Sequence, residues 1–287
     1  MVKILDGKIL AQKLKDALKK EVADLKKVFK DSPVLASVLV GDDKGSLAYV
    51  NSQKKNAEEI GVLYQLIKLP KDISQQEFVK TIKGLNADSK IHGIIIQQPV
   101  PSQIDYTKIA ALIDPSKDIE GMNVSNLGRF ILGGNKLVPC TAASVMEHIK
   151  STGVDFKGKE AVVVGRSAIV GKPLIFLLLE ENLTVTVCHS KTPIQKLEEH
   201  VRLCDVVVAA VGKPGFIKGE WIKKGAIVID VGINKVGEKI LGDVEFDKAK
   251  ERAGFITPVP GGVGPLTVVS LMKNCIEAFK FQQKKTE

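Results

Sequence analysis

The residues best suited to chemistry are Gly165, Arg166, Ser167 and Gly171. They lie in the run Ala161-Val-Val-Val-Gly165-Arg-Ser-Ala-Ile-Val-Gly171-Lys-Pro173. A short β-branched segment ends at a glycine, passes through a polar turn and enters an apolar segment after a second glycine. This is how a strand hands over to a helix whose free backbone N–H groups can hold a phosphate. Ser167 stands where the middle glycine of G-x-G-x-x-G would be, so the turn alone is a weak signal and the rest of the chain has to decide.

In a dinucleotide fold, an acidic residue about 20 positions past the glycine turn binds the ribose hydroxyls of NAD. Here the following strand, Thr184-Val-Thr-Val-Cys188, runs into His189-Ser190-Lys191, with no carboxylate to repel a 2′-phosphate. Arg166, Ser190 and Lys191 offer charge-assisted and hydroxyl contacts instead, which favours NADP over NAD. The plainer reading leaves Arg166 in solvent. Gly212 and Gly232 close two further β-branched runs, Val207–Val211 and Val228–Val231, as expected where a long cofactor crosses the strand ends of an open sheet.

These turns need a scaffold of alternating elements. Apolar residues at Ile9, Leu14, Leu18, Val22, Leu25 and Phe29 make a helical stripe over 7–30. A strand is expected at 34–40, then a helix capped by Ser46 and stopped by Gly61, a strand at 63–69, a helix at 74–85 and a strand at 91–97. Between Pro99 and Pro139 prolines and glycines break the rhythm, with only a short helix near 105–113. That segment reads as an interdomain connection able to carry site residues. Alternation resumes with a helix at 142–151 and strands at 161–164, 184–188, 205–209 and 226–230, and a last helix begins near Pro265 and reaches a lysine-rich tail. The expected fold class is α/β: two domains with parallel strand–helix alternation, residues 1–139 plus 265–287 forming one and residues 140–264 a Rossmann-like, NADP-binding second.

Composition narrows the function. The chain has 287 residues, enough for two modest domains, and an apolar fraction of 44%. No apolar run approaches the roughly 20 residues needed to span a bilayer, and the start has no signal-peptide character, so a cytoplasmic chain without membrane partners is expected. Cys140, Cys188, Cys204 and Cys275 are scattered without a C-x-x-C pair, so no metal site is expected and buried free thiols are. The net charge of +9 is spread over helix faces, and aromatics are only 5%, which argues against a nucleic-acid platform. Solubility and a mild attraction for small anions account for it.

Further segments carry a resemblance. Val164-Gly-Arg-Ser-Ala-Ile-Val-Gly-Lys-Pro173, Cys188-His-Ser-Lys-Thr192, Asp230-Val-Gly-Ile-Asn234, Gly242-Asp-Val244 and Ile256-Thr-Pro-Val-Pro-Gly-Gly-Val-Gly-Pro265 together resemble the methylenetetrahydrofolate dehydrogenase/cyclohydrolase family, nearly end to end and in the family's order. The resemblance implies a two-domain protein, usually a homodimer, that holds folate in a cleft facing the NADP domain. It implies oxidation of 5,10-methylenetetrahydrofolate to the 5,10-methenyl form, then hydrolysis to 10-formyltetrahydrofolate, on a tetrahydrofolate with or without a polyglutamate tail. Carried over by position, Gly165, Arg166, Ser167, Ser190 and Ile233 correspond to NADP-contacting residues. Tyr49 matches a tyrosine stacking near the pterin and Gln97 an active-site glutamine. The loop of Pro258, Val259, Pro260, Gly261, Gly262, Val263, Gly264 and Pro265 matches the one lining the folate site. Without the resemblance, Tyr49 reads as a helix residue half-buried against a sheet and Gln97 as a strand-end amide satisfied by backbone.

The chain departs from the family pattern at informative places. The family has a lysine four residues after the tyrosine; here it is Gln53. Lys54 and Lys55 lie about 140° and 240° around a helix from Tyr49, so neither takes its place without a register shift. Glu120 stands where the family usually has aspartate, keeping a carboxylate for the pterin nitrogens but on a longer stem, and Thr141–Ser144 lacks the family's proline and glycine. Hydride transfer from the methylene carbon needs orientation rather than a titrating side chain. Hydrolysis of the methenyl cation needs a proton moved, and general acid–base help there is worth about 10²–10⁴-fold. Gln53, Tyr49, Gln97 and Glu120 are therefore the expected catalytic and substrate-binding set, with an active dehydrogenase and a weak or lost cyclohydrolase. Two alternatives stay open: full bifunctionality with another base compensating, and a non-catalytic folate- and NADP-binding protein.

Overall fold

The computed structural model describes residues 1–134 and 137–284; the end of the lysine-rich tail lies outside the described residues. The chain opens with β1 (Lys3–Ile4) and α1 (Gly7–Phe29), then runs β2 (Val34–Val40), α2 (Lys44–Ile60), β3 (Leu63–Leu69), α3 (Gln75–Ala87), β4 (Gly93–Ile96), α4 (Tyr106–Ala110) and α5 (Val124–Ile131). After these come α6 (Cys140–Lys150), β5 (Glu160–Val164), α7 (Gly171–Glu180), β6 (Thr184–Cys188), α8 (Ile194–Leu203), β7 (Val206–Ala209), β8 (Ile227–Asp230), β9 (Asn234–Val236), β10 (Lys239–Leu241), α9 (Phe246–Ala249), β11 (Phe255–Ile256) and α10 (Val263–Gln283).

Two compact units result: Lys13–Cys140 with Val268–Glu287, and Met1–Gln12 with Thr141–Thr267. In the first, β3, β2 and β4 pair in that order, all parallel, with Val38 opposite Ile67 on one side and Ile96 on the other. Helices must cover both faces of such a sheet, so β2 and β4 are mainly apolar and buried, while the edge strand β3 carries Gln65 and Lys68. Ala36, Val38, Ile94 and Ile96 pack against Phe78 and Ile82 of α3 and Ile109 of α4. Helix α2 is set by its ends. Asp43, not the expected Ser46, is its N-cap: the Asp43 carboxylate accepts from the Ser46 backbone N–H at 2.8 Å, and Gly61 closes the helix at φ 96°. Ser74 and Glu77 form a reciprocal capping box that starts α3.

In the second unit six parallel strands run in the order β1-β11-β8-β7-β5-β6. The order reverses between β5 and β7, which opens a crevice beyond their C-terminal ends. Val164 of β5 stands opposite Cys188 of β6 and Ala209 of β7, so three loops leave the sheet at the same level. One layer of core, including Ala142, Val145, Leu174 and Leu178, lies with Ala161, Val163 and Val208. The other, including Leu197, Val201, Trp221 and Ile222, lies with Val162, Val207 and Val228.

The N-terminal bound of the compact units differs from the expected one. Residues 1–12 were expected with the first domain, but Lys3 and Ile4 pair with Phe255 and Ile256, so the N-terminus completes the edge of the six-stranded sheet. The segment 99–139 also holds a second helix, α5, capped by Asn123. Among the described residues no helix is long and apolar enough to cross a membrane.

Candidate functional site

Helix α2 presents Val50, Gln53, Ala57 and Ile60 to the interior, a spacing that follows the helical period. Gln53 is therefore fully buried, and its amide has to be satisfied locally. Its Oε1 accepts from the Tyr64 hydroxyl of β3 and from Gln97 Nε2 at the end of β4, both at 2.9 Å. Gln97 Nε2 also donates to Ser37 Oγ of β2 at 2.9 Å. One helix and all three strands thus meet in a chain of four polar side chains. The backbone-satisfied reading of Gln97 accounts only for its own N–H, which donates to Val38 at 2.8 Å. Lys54 and Lys55 are exposed, and Lys54 pairs with Glu58 at 4.0 Å.

Tyr49, one turn before Gln53, is half-buried, and burial first and then Cys140 hold its phenol above the ordinary range, with the Gln53 amide acting the other way. Burial pushes Tyr64 up to about 12. Glu120 lies in the same electrostatic neighbourhood: its charge acts on both Tyr49 and Cys140. Burial, then the Asp118 carboxylate, push Glu120 up to about 7, against the opposing hydrogen bond from Tyr106, whose hydroxyl donates to Oε2 at 3.5 Å. Asp118 is held by the Asn123 N–H at 2.7 Å and Asn126 Nδ2 at 3.0 Å. Asn274 of α10 ties down the backbone on either side, donating to the Ile119 and Val138 carbonyls at 2.8 Å each. The result is a set of neutral donors and acceptors with one carboxyl that gains or loses a proton near neutrality.

In the other unit, Gly165 leaves β5 at φ 132°, a backbone conformation natural to glycine. A Cβ there would lie 2.2 Å from the Ala210 carbonyl oxygen. Gly171, at the start of α7, is as tightly placed: its Cβ would fall 2.2 Å from the Gly165 carbonyl. Ser167 Oγ accepts from the Val170 N–H at 3.2 Å and so shapes the turn. Beyond it lies a cavity of about 200 Å³ whose lining includes Gly165, Arg166, His189, Ser190, Val211 and Lys213. Among its described lining residues none is a carboxylate, so the site suits a phosphorylated ribose. Lys191 and Ile233 are not in that lining; both are exposed, Ile233 on the loop after β8. The Pro258–Pro265 loop belongs to this unit as well. Gly261 has φ 103°, its carbonyl accepts from the Gly7 N–H at 2.8 Å, and Gly262 is packed so that a Cβ would meet the Pro258 carbonyl at 2.5 Å.

Comparison with known proteins decides the family. The family model described as tetrahydrofolate dehydrogenase/cyclohydrolase, catalytic domain, matches residues 5–120, and the NAD(P)-binding domain of the same family matches residues 139–283. The chain belongs to the tetrahydrofolate dehydrogenase/cyclohydrolase family. It is 51% identical to the bifunctional protein FolD of Geotalea uraniireducens over 98% of this chain and 99% of the relative. Among solved structures it resembles the bifunctional FolD of Campylobacter jejuni, 38% identical with TM-score 0.92, covering 98% of this chain and 99% of the other. It also resembles the Trypanosoma brucei FolD complexed with NADP cofactor and inhibitor, 39% identical with TM-score 0.91, covering 98% of each.

Within the tetrahydrofolate dehydrogenase/cyclohydrolase frame, the phosphate turn lies in the NAD(P)-binding domain and the Gln53 cluster in the catalytic domain. Reading the sequence missed several residues of both. Tyr64, Ser37, Tyr106 and Asn274 carry no motif, and Lys213 and His189 emerge only once the loops after β6 and β7 are seen to leave the sheet beside Gly165. The carboxylates Asp230 and Asp243 were visible only as letters of two motifs. In the fold, Asp243 accepts from the N–H groups of Val211, Gly212 and Lys213 at 2.6–2.9 Å and so builds the cavity's third loop.

Proposed function

We propose that this enzyme oxidises 5,10-methylenetetrahydrofolate to the 5,10-methenyl form with NADP, and that its hydrolysis of the methenyl form is weak. The observation that carries the reading is the burial of Gln53, an amide that does not titrate, at the centre of the polar cluster, while Lys54 and Lys55 are exposed. When bound, NADP supplies the hydride acceptor. Arg166, Ser190, His189 and Lys213 would hold its 2′-phosphate end, and the Gly165–Gly171 turn and the α7 N-terminus its diphosphate. The chain's own share of the oxidation is orientation: Tyr49 against the pterin, Gln97 and Gln53 as amide contacts, and Glu120 toward the pterin nitrogens. Water attack on the methenyl carbon needs a group that carries a proton, and Gln53 is unable to supply it.

One observation favours a second reading, full bifunctionality as in the relatives named bifunctional. Glu120, pushed up to about 7, has the proton affinity of a general base at neutral pH. A paired absorbance assay separates the two. On the first reading, wild type forms NADPH from methylenetetrahydrofolate, hydrolyses methenyltetrahydrofolate slowly, and gains hydrolysis at least tenfold in Gln53→Lys. Hydrolysis at a rate matching oxidation, unchanged by Gln53→Lys and lost in Glu120→Gln, establishes the second. A cytoplasmic homodimer acting on tetrahydrofolates with or without polyglutamate tails completes the proposal, and sedimentation of the purified chain tests the assembly.

A further inference from the structure

The Gln53 carboxamide is fully buried, yet its two ends are treated unequally. Oε1 receives two hydrogen bonds, from Tyr64 and Gln97, whereas Nε2 finds no partner among the described residues. Turning the amide over does not remove the imbalance. It would set the NH2 group against Gln97 Nε2, which already donates to Ser37, so both amides would have to turn together and a buried oxygen would then lack a donor. A buried donor without an acceptor is costly and rare in a folded protein. Tyr49 lies beside the amide: Gln53 offsets part of the upward shift of its phenol, as an N–H directed toward that oxygen would.

We infer that the Gln53 NH2 group is a fixed hydrogen-bond donor to an oxygen or nitrogen acceptor on the pterin ring of bound tetrahydrofolate, and that Tyr64 is the positioning residue that aims it. The inference rests on the folate reading above. Two strands clamp the amide oxygen, Tyr64 from β3 and Gln97 from the end of β4, so rotation of the terminal amide is restricted before any ligand arrives. A donor whose direction is preset loses less freedom on binding. Position 53 then has two separable duties: a donor, which glutamine and lysine both fulfil, and a titrating group, which only lysine does.

Anaerobic calorimetry of tetrahydrofolate binding to the full-length chain tests this, with the thermal midpoint recorded for every variant. Gln53→Lys is expected to bind within about threefold of wild type. Gln53→Met and Gln53→Glu, of similar length without an N–H, are expected to bind about tenfold more weakly. Tyr64→Phe is expected to weaken binding roughly three- to tenfold, to raise KM with kcat nearly kept, and to have no further effect in the Gln53→Met background. Wild-type affinity in Gln53→Met or Gln53→Glu overturns the inference, as does a Tyr64→Phe loss that persists in Gln53→Met, or no binding of tetrahydrofolate by wild type. Failure of the dehydrogenase reading shows differently, as wild type that binds tetrahydrofolate yet forms no NADPH from its methylene derivative.

Discussion

The backbone N–H of Asp243 donates to the Asp230 carboxylate at 2.9 Å, so one buried acid holds in place the residue whose own carboxylate shapes the next loop. Asp230 also accepts from Gly232 and Val244, and Asp243 from Val211, Gly212, Lys213 and the Asn234 side chain. Gly232 and Gly242 admit these contacts: a Cβ at Gly232 would lie 2.2 Å from Asp243 Oδ1, and one at Gly242 2.0 Å from Asp230 Oδ2. Two carboxylates thus replace side-chain packing as the organiser of the loops after β7 and β8.

Asp243→Asn tests that arrangement. Each carboxylate oxygen accepts two N–H groups, so the amide loses two acceptor contacts and turns an NH2 group toward donors. Hydrogen bonds to a charged group are worth about 1.5–3 kcal/mol each, so urea unfolding should show a loss of roughly 2–4 kcal/mol. NADP binding, followed by fluorescence, should weaken with it because Lys213 and Val211 line the cavity. Unchanged stability would remove the carboxylate from the loop's support.

Glycine substitutions in two places should have opposite signs. Gly165→Ala puts a methyl 2.2 Å from the Ala210 carbonyl at a φ of 132°, so β5 and the loop after β7 must separate. The expected loss is about 2–4 kcal/mol and NADP affinity falls sharply. Gly84 sits on the exposed face of α3 with nothing within 4 Å of the added carbon. Gly84→Ala should raise stability by about 0.5–1 kcal/mol through helix propensity, with both activities kept. Thermal and urea unfolding of the two variants check the pair together.

Glu120 gives a pH dependence whose sign is fixed. Its folded pKa, about 7, lies above the ordinary 4.5. Its stabilising contribution is therefore complete below about 4.5 and is lost as pH rises through 7. Glu120→Gln removes that loss, so the variant should gain on wild type between pH 5 and pH 8 by roughly 2–3 kcal/mol. Urea unfolding at the two pH values measures it; parallel curves would show that the carboxyl is not held near neutrality.

Much of this was legible in the residues because the elements concerned are set locally. The apolar run of β2, broken only at Ser37, and the glycine after α2 need no knowledge of the rest of the chain. Asp43 rather than Ser46 caps α2 because the helix begins three residues earlier, and both residues are of the capping type. Helix α5 is only eight residues long and lies in a stretch broken by prolines and glycines, which masks its apolar spacing at Val124, Leu127 and Ile131; Asn123 is its capping signal. The pairing of Lys3 and Ile4 with Phe255 and Ile256 is a contact across the whole chain between two-residue strands, which no local pattern announces. The site divides the same way. Gly165, Arg166 and Ser190 sit in motifs, whereas Tyr64 reaches Gln53 only because β3 returns parallel to β2, and nothing in its own segment marks it.

His148 supplies a titration of the opposite sign. It lies fully buried on α6, and neither ring nitrogen makes a hydrogen bond among the described residues. Burial holds its pKa below the ordinary 6.5, with the Gly262 backbone, Asp6 and Glu147 acting the other way. The unfolded chain therefore takes up a proton that the folded chain refuses, and stability falls as pH drops below 6.5. His148→Phe keeps a ring of similar size and leaves no polar atom without a partner, so it should be more stable than wild type by about 1 kcal/mol at pH 7. Its advantage should widen toward pH 5, where wild type loses the histidine's contribution. Because the Gly262 backbone acts on the ring, the variant also reports on the proline–glycine loop. Urea unfolding of both proteins at pH 7 and pH 5 decides it: a constant difference between them would mean that His148 is protonated equally in the folded and unfolded chains.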